Sequence, residues 1–530
     1  MANLTAYGYN LSFFFGKGHM PVKRFRLTVL LLCVSVLLSG CLQEEDPLPD
    51  DESPIPAQLE QQPDDPSEET SSLPERFALP YEANSTLDPI TCPDGMQQVV
   101  ASLIYEGLFR LDTTLEVENC LCENWSCNDS HTVYTFILRP DAFFSDGSPL
   151  TAAEVRATLE RARNSDRYRS RLRQIQELSA SGNTLTVTLS VPNSGFPALL
   201  DVPICKNTGS VPLGTGPYAY VRGENGEYLS VNPYWWRGGG QPVSRMELDE
   251  AQGAMLYRFT SRDVQVIVTD LTSASAAGLT GDIRYHDTPG TVLQYIMCNT
   301  EREPLNNTAF RNALNRGIQR ENLVRGLLSG HALAAEFPVS PASLLYPADL
   351  EEDYSAFAFS DALRESGYES GRVLTLLVNE ENAFKVSVAR SIAQSFALAG
   401  VPVTTRVEPW ETYLELVAER DFDLCYCETR LSADWNLTPL VSEWSSLNIS
   451  GWSDGRMSEL LEAYNDSSNR AEALREVCAY MREQSPFLPV CFNNSTVLVQ
   501  SEVVENLLPT AAEPFYNLRE CVIHLREPET

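Results

Sequence analysis

Four groupings in this 530-residue chain have residue types and spacings that do chemistry in other proteins: Cys120, Cys122 and Cys127 with His131; Asp421 with Asp423; Gly214-Thr215-Gly216-Pro217; and Arg430 with Asp434. Three thiolates and an imidazole would supply the four ligands of a tetrahedral zinc site, but the spacing matches no common zinc pattern. A disulfide within this loop, or between it and Cys92, is the expectation. Eleven cysteines lie beyond Cys41, an odd number, so at least one stays unpaired within the chain. Cys425 and Cys427 alternate on an apparent strand and share a face. Asp421 and Asp423 flank Phe422 at a strand start and read as solvated strand-end charge rather than as an acid and base pair. The glycine segment lacks the Gly-Lys-Ser/Thr of a phosphate loop. No Gly-x-Ser-x-Gly elbow or His-Glu-x-x-His helix occurs, and the five histidines (19, 131, 286, 331 and 524) are scattered. No catalytic residue, cofactor or metal is therefore expected, and the chain reads as a non-enzyme.

Arg430 and Asp434 are more informative once the elements around them are placed. Residues 374–378 form an apolar run, 383–399 carry Phe384, Val388, Ile392 and Phe396 at helical spacing, and Gly400 stops that helix. A strand over 401–407, a helix over 411–419 and a strand over 422–427 follow. Strand, helix, strand, helix, strand with short loops predicts a parallel sheet. Ligands bind such sheets beyond the carboxyl ends of the strands, where residues 428–437 hold Arg430, Leu431, Asp434 and Trp435. Trp410 sits in the loop before the second helix. A further helix over 308–328 follows a strand over 292–298. Upstream, 133–138 reads as a strand, 151–163 as a helix opened by a Thr151/Glu154 capping box, and 184–191 as a hairpin-like region.

The N-terminus gives an address. Lys23, Arg24 and Arg26 precede an apolar run over 27–38, too short to span a bilayer, which needs about 20 residues. It ends in Leu38-Ser39-Gly40-Cys41, which resembles the lipobox of bacterial lipoproteins, whose cysteine is acylated and becomes the mature N-terminus. Residues 41–75 carry twelve carboxylates, seven prolines and no Lys, Arg or aromatic residue, a composition that does not fold. Residues 1–19 fit no part of a signal, so Met20 is a candidate start. From residue 41 onward the chain has 35 basic against 72 acidic groups, a net charge of −37. That charge argues against nucleic acid and anionic lipid as partners. The length exceeds one core of about 250 to 300 residues, so two or more lobes are expected.

Five ordered motifs carry a resemblance: Tyr105-Glu106-Gly107-Leu108-Phe109, Tyr134-Thr135-Phe136-Ile137-Leu138-Arg139, Phe144-Ser145-Asp146-Gly147-Ser148-Pro149-Leu150-Thr151-Ala152, Gly214-Thr215-Gly216-Pro217-Tyr218 and Asn232-Pro233-Tyr234-Trp235-Trp236. Together with Phe310-Arg311-Asn312-Ala313-Leu314 and Asp421-Phe422-Asp423-Leu424, they resemble family 5 of the bacterial extracellular solute-binding proteins, which serve oligopeptide, dipeptide and nickel ABC importers. The resemblance implies an α/β, two-lobed periplasmic-binding-protein-like fold joined by a two-strand hinge, with an extra α+β subdomain in lobe one. The divisions expected are a signal peptide over 1–40, an acidic linker over 41–75, lobe one over 76–290, lobe two over 291–490 and a C-terminal return over 491–530. It implies that Asp434 holds the α-ammonium group of a bound peptide. Peptide binders carry a tryptophan three residues earlier, where this chain has Leu431. Trp435 and Trp410 are candidates for an aromatic wall or for core, and Arg430 for a ligand carboxylate or for neutralising Asp434. The expected role is capture of a short peptide by a monomer anchored through Cys41 on the outer face of the cell membrane, with delivery to a permease. A sensor for a membrane receptor and a binder of a chelated metal are the alternatives.

Overall fold

The computed structural model describes residues 73–526, apart from 94, 208, 252, 273–278, 280, 281 and 370. The signal segment, Cys41 and the acidic tract up to residue 72 lie outside the described residues. The first part of the chain runs β1 (Ala78–Tyr81), α1 (Met96–Ile104), β2 (Phe109–Leu111), β3 (Val117–Asn119), β4 (Cys122–Cys127), β5 (Val133–Leu138), α2 (Ala152–Ala162), β6 (Ile175–Ser181), β7 (Thr184–Leu189), β8 (Tyr218–Gly223), β9 (Gly226–Val231), β10 (Arg245–Glu250), α3 (Met255–Thr260) and β11 (Val266–Thr269). Two four-stranded sheets result, ordered β1-β10-β9-β8 and β4-β5-β7-β6. In β5 and β7, Tyr134, Phe136, Leu138, Leu185, Val187 and Leu189 alternate inward, the period that buries one face of a sheet. The hairpin expected over 184–191 is instead one strand, β7, whose hairpin partner is β6, joined through Gly182 in the left-handed region (φ 57°) and Asn183. Thr151 precedes α2 as expected, but its hydroxyl donates to the Glu154 carboxylate, so no side-chain cap reaches the backbone.

The chain then enters β12 (Ile283–Cys298), α4 (Thr308–Arg316), α5 (Arg320–Leu327), β13 (Ala332–Ala334), α6 (Ala356–Glu365), β14 (Leu374–Asn379), α7 (Ala383–Leu398), β15 (Val403–Glu408), α8 (Trp410–Ala418), β16 (Leu424–Arg430), α9 (Thr438–Val441), α10 (Gly455–Asn465), α11 (Arg470–Gln484) and β17 (Phe487–Gln500). Strands β15, β14 and β16 are parallel neighbours, as the alternation of strand and helix predicts, and β12 closes against β16 antiparallel. Helices α7 and α8 cross between them, and Val388, Ile392 and Phe396 of α7 are buried against the sheet. The expected single helix over 308–328 is two. Gly317 is the C-cap of α4, where a Cβ would lie 2.5 Å from the Phe359 ring, and Arg320, the first residue of α5, donates to the carbonyls of Ala335 and Pro489.

Strands β12 and β17 pair antiparallel along almost their whole length and join the two lobes. Their ladder is interrupted twice. One shift lies between Pro289 and Val292, where Gly290 lets the Asn493 carbonyl approach to 2.6 Å of its would-be Cβ. The other lies between Gln294 and Tyr295, opposite Pro489, the place where a central strand tolerates a residue without an N–H. Bulges bend and twist a strand pair, which is what two lobes sharing one ribbon require.

On the first lobe, Glu106 shows what the aromatic motif near residue 235 is for. Its buried carboxylate accepts the indole N–H groups of Trp235 and Trp236 (3.1 Å each) and the Thr215 hydroxyl (2.9 Å), tying three of the five motifs together. Nearby, the Arg110 guanidinium lies 3.7 Å from Glu513 and donates to the Tyr516 carbonyl, fastening the C-terminal segment. Burial, opposed by Arg110 and assisted by Glu106, pushes the Glu513 carboxyl from 4.5 up to about 7. A raised acid stabilises the fold while protonated, so its contribution is full below about 4.5 and lost as pH climbs through 7. Glu513→Gln is expected to flatten the fall in denaturation midpoint between pH 5 and pH 8; an unchanged pH profile contradicts the assignment.

Candidate functional site

Beyond β16 the chain makes a tight turn at the carboxyl end of the parallel strands. The Leu431 N–H bonds the Thr291 carbonyl at the β12 bulge, and Trp435, at φ 52°, donates its N–H back to the Ser432 carbonyl. This turn aims the Asp434 side chain at the opposite lobe. Asp434 is 2 % exposed. Its Oδ1 accepts the Ser432 hydroxyl (2.5 Å) and the Asn436 N–H (3.3 Å), while Oδ2 accepts Nδ2 of Asn193 at 2.9 Å. Asn193 lies 241 positions earlier, just after β7 of the first lobe. The carbonyl of Asp434 accepts the Tyr464 hydroxyl and the Arg470 guanidinium, both at 2.6 Å, so the whole residue is held in place.

Asn193 is equally fixed. It is 3 % exposed, its carbonyl accepts the Tyr134 hydroxyl (2.6 Å), and its side-chain Oδ1 accepts the Gly195 N–H (2.9 Å). With the oxygen committed to Gly195, the amide nitrogen is the end that points at Asp434. Around this contact the lobes meet at further points. Ser194 N–H donates to the Asn465 carbonyl (2.7 Å), and His131 lies 3.2 Å from Asp466. Arg171, paired with Asp201, is half-buried close to Asp434, and loss of water around its guanidinium pulls the pKa below the ordinary arginine value while Tyr168 and Asp434 oppose the shift.

The other sequence candidates separate into different roles. Trp435 is 0 % exposed, stacks edge-on against Phe492 at 6.0 Å and donates its indole N–H to Ser343. It packs in the core of this lobe, in the positive-φ turn after the strand end. Leu431 is also buried in that core. Trp410 is half-buried at the start of α8, stacked on Tyr413 with 15° between the ring planes. Arg430 is exposed at the end of β16 and does not pair with the Asp434 carboxylate, whose donors are the Ser432 hydroxyl, the Asn436 N–H and the Asn193 amide.

Two expectations are corrected. Cys120, Cys122 and Cys127 carry no disulfide: Cys120 and Cys122 are buried, with their thiols near Glu106 and the Asn124 carbonyl, and Cys127 is exposed at the far end of β4. Nor do these cysteines and His131 converge, since His131 turns to Asp466; among the described residues no group of three or more possible ligands could hold a metal ion. Asp423 is not a solvated strand-end charge. It is 2 % exposed, accepts the Thr375 N–H at 2.9 Å and pairs with Arg372, stitching the starts of β14 and β16. Asp421 does remain half exposed, with Arg302 and Arg406 beside it.

A second polar group sits at the same strand ends. Lys385 lies 3.0 Å from Glu428, Gln294 Nε2 donates to Asn493 (2.7 Å), and the Tyr426 hydroxyl donates to Gln294 Oε1. Asp270, whose carboxyl is raised by burial and by Glu428, faces them from the end of β11. None of these residues was singled out from the sequence. Glu428 alone had a signal, two residues before Arg430 on the strand beneath the turn.

Two α/β lobes joined by a bulged pair of strands, with a carboxylate of one lobe reaching across to the other, define the class of two-lobed periplasmic binding proteins. Within that class the chain belongs to the family described as "Bacterial extracellular solute-binding proteins, family 5 Middle", whose model matches residues 116–445. The chain is 26 % identical over 448 residues to the glutathione-binding protein GsiB of Salmonella typhimurium, covering 77 % of this chain and 86 % of that one. Its fold is similar to a nickel ABC transporter protein of Bacillus halodurans (TM-score 0.71, 22 % identity, 84 % of this chain and 99 % of that one). It is similar also to the oligopeptide-binding protein AppA of Bacillus subtilis, solved with a nonapeptide (TM-score 0.59, 18 % identity, 85 % and 99 %).

Proposed function

We propose that this solute-binding protein captures a small peptide with a free N-terminus between its lobes and delivers it to the permease of an ABC importer, tethered to the outer face of the cell membrane through acylated Cys41. The observation that carries the peptide reading is the Asp434 carboxylate, buried at the strand ends and accepting an N–H donor from across the lobes. An α-ammonium group is a donor of the same geometry with a charge added, and a charge-assisted bond is about twice as strong as a neutral one. The polar group of Lys385, Glu428, Gln294 and Asn493 supplies further donors and acceptors at the same level for the rest of a peptide backbone. A relative that binds glutathione and a neighbour solved with a nonapeptide are in keeping with a peptide-like solute.

The reading is tested by calorimetric titration of the full chain with trialanine and with N-acetyl-trialanine. The free peptide is expected to bind and the acetylated one to bind at least about tenfold more weakly, the equivalent of about 1.4 kcal/mol. Equal affinities would remove Asp434 from ammonium recognition. The tether has its own test. Cys41→Ser is expected to move the protein from the membrane fraction to the medium, because acyl chains supply the anchoring energy, about 0.8 kcal/mol for each buried CH2. Retention at the membrane would contradict it.

A further inference from the structure

The contact between Asn193 and Asp434 does more than fill a lone pair. A carboxylate offers about four acceptor sites, and on Asp434 three are in use, two of them by its own turn and the third by the other lobe. The space around that third site is closed. A Cβ on Gly195 would lie 2.5 Å from Nη2 of Arg470 and 3.0 Å from Cβ of Asp434, so only a glycine lets the two lobes come this close. With two donors already on Oδ1, a ligand ammonium is directed at Oδ2, the oxygen on which the Asn193 amide sits, and the lobes are in contact beside it.

We propose that Asn193 is an affinity-setting residue, a latch on the first lobe that holds the Asp434 carboxylate in the closed arrangement and must release it to an incoming ammonium group. The competing half of this inference rests on the ammonium reading of Asp434; the latch itself does not. The physical basis is a shared acceptor. The amide is preorganised, with its oxygen pinned by the Gly195 N–H and its carbonyl by the Tyr134 hydroxyl, so little entropy is lost when it docks on the carboxylate. On the other side, Tyr464 and Arg470 fix the Asp434 backbone, so the carboxylate does not swing away to serve both donors. Closure through the Ser194 N–H to the Asn465 carbonyl and through His131 to Asp466 surrounds the latch. Ligands then differ by what they offer Oδ2. A neutral donor exchanges one amide for another and gains little, whereas an ammonium brings a full charge to a buried carboxylate. A population held in the latched form lowers apparent affinity by the fraction it occupies, and removing the latch restores that affinity.

Two variants of the full chain test this. Asn193→Ala deletes the donor, and Gly195→Val keeps the donor but inserts a side chain between the lobes. In buffer, small-angle scattering should give both variants a larger radius of gyration than the parent chain. Asn193→Ala should also bind trialanine about tenfold more tightly. If Asn193→Ala fails to fold, Gly195→Val still decides whether the lobes meet at this point. An unchanged radius in the folded variants overturns the latch. A larger radius for Asn193→Ala with equal, weaker or no trialanine binding overturns the competition, because the amide then does not hold the ligand's acceptor. If N-acetyl-trialanine gains as much as trialanine, the latch acts only by holding the lobes closed and the competition for Oδ2 is overturned; the ammonium reading of Asp434 is judged separately, by the ratio of the two affinities in the parent chain.

Discussion

Asp434→Ala is expected to weaken binding of trialanine by at least about 2 kcal/mol, close to thirtyfold, with no loss in the binding of N-acetyl-trialanine. The size follows from burial. At 2 % exposure the carboxylate has exchanged water for Ser432, Asn436 and Asn193, and an ammonium brought to it is likewise removed from water. Deleting the acceptor leaves that charge without a partner, a cost greater than the worth of the pair itself. The same change also frees the Asn193 amide, so the variant is expected to lose some stability as well as affinity, by about 1 to 3 kcal/mol for the unsatisfied donor. Titration reads the first effect and chemical denaturation the second. A variant that binds both peptides as the parent chain does would show that recognition lies elsewhere, with the Lys385 and Glu428 group the next place to look.

Gly214→Ala is expected to destabilise the first lobe by about 3 kcal/mol or more. Here the reason is steric and local. A Cβ at residue 214 would lie 1.9 Å from the Ile104 carbonyl oxygen and 2.7 Å from its carbon, both backbone atoms at the end of α1. That carbonyl accepts the Gly216 N–H at 2.9 Å, so neither partner can retreat without breaking the bond that joins the loop to the helix. The loop also delivers Thr215 to the Glu106 carboxylate, which in turn holds Trp235 and Trp236. One methyl group therefore disturbs three sequence motifs at once. Urea denaturation followed by tryptophan fluorescence measures the loss, and an unaltered midpoint would contradict the packing described.

The parts of the fold that were legible in the sequence are those whose cause is local. The run from β14 to β16 could be read because each element is a short apolar segment closed by its own stop, such as Gly400 at φ 94° after α7. The position of Asp434 followed from the same run, since a residue just past a parallel strand is at the ligand-binding edge whatever else the chain does. What stayed hidden depends on residues far away. The two helices α4 and α5 meet where Gly317 packs on Phe359 and Arg320 bonds the Pro489 carbonyl, distant residues that leave no mark on 308–328. Asn193 sits in Pro192-Asn193-Ser194-Gly195, which reads as an ordinary turn; its meaning comes from a carboxylate 241 positions later. The cysteine loop misled for the same reason. Cys120 and Cys122 are close in sequence, but the strand and its bulge send their thiols to different neighbours. Trp435 was open between wall and core until the turn at φ 52° placed its indole under β16.

What the lobes hold decides the function. Mass spectrometry of the small molecules released when freshly purified full-length protein is denatured measures this without choosing a ligand in advance. A short peptide or mixture of peptides with unmodified α-amino groups is the predicted result, present in the parent chain and depleted in Asp434→Ala. A sugar, a metal chelate or an N-blocked compound released in equal amount from both proteins would contradict it.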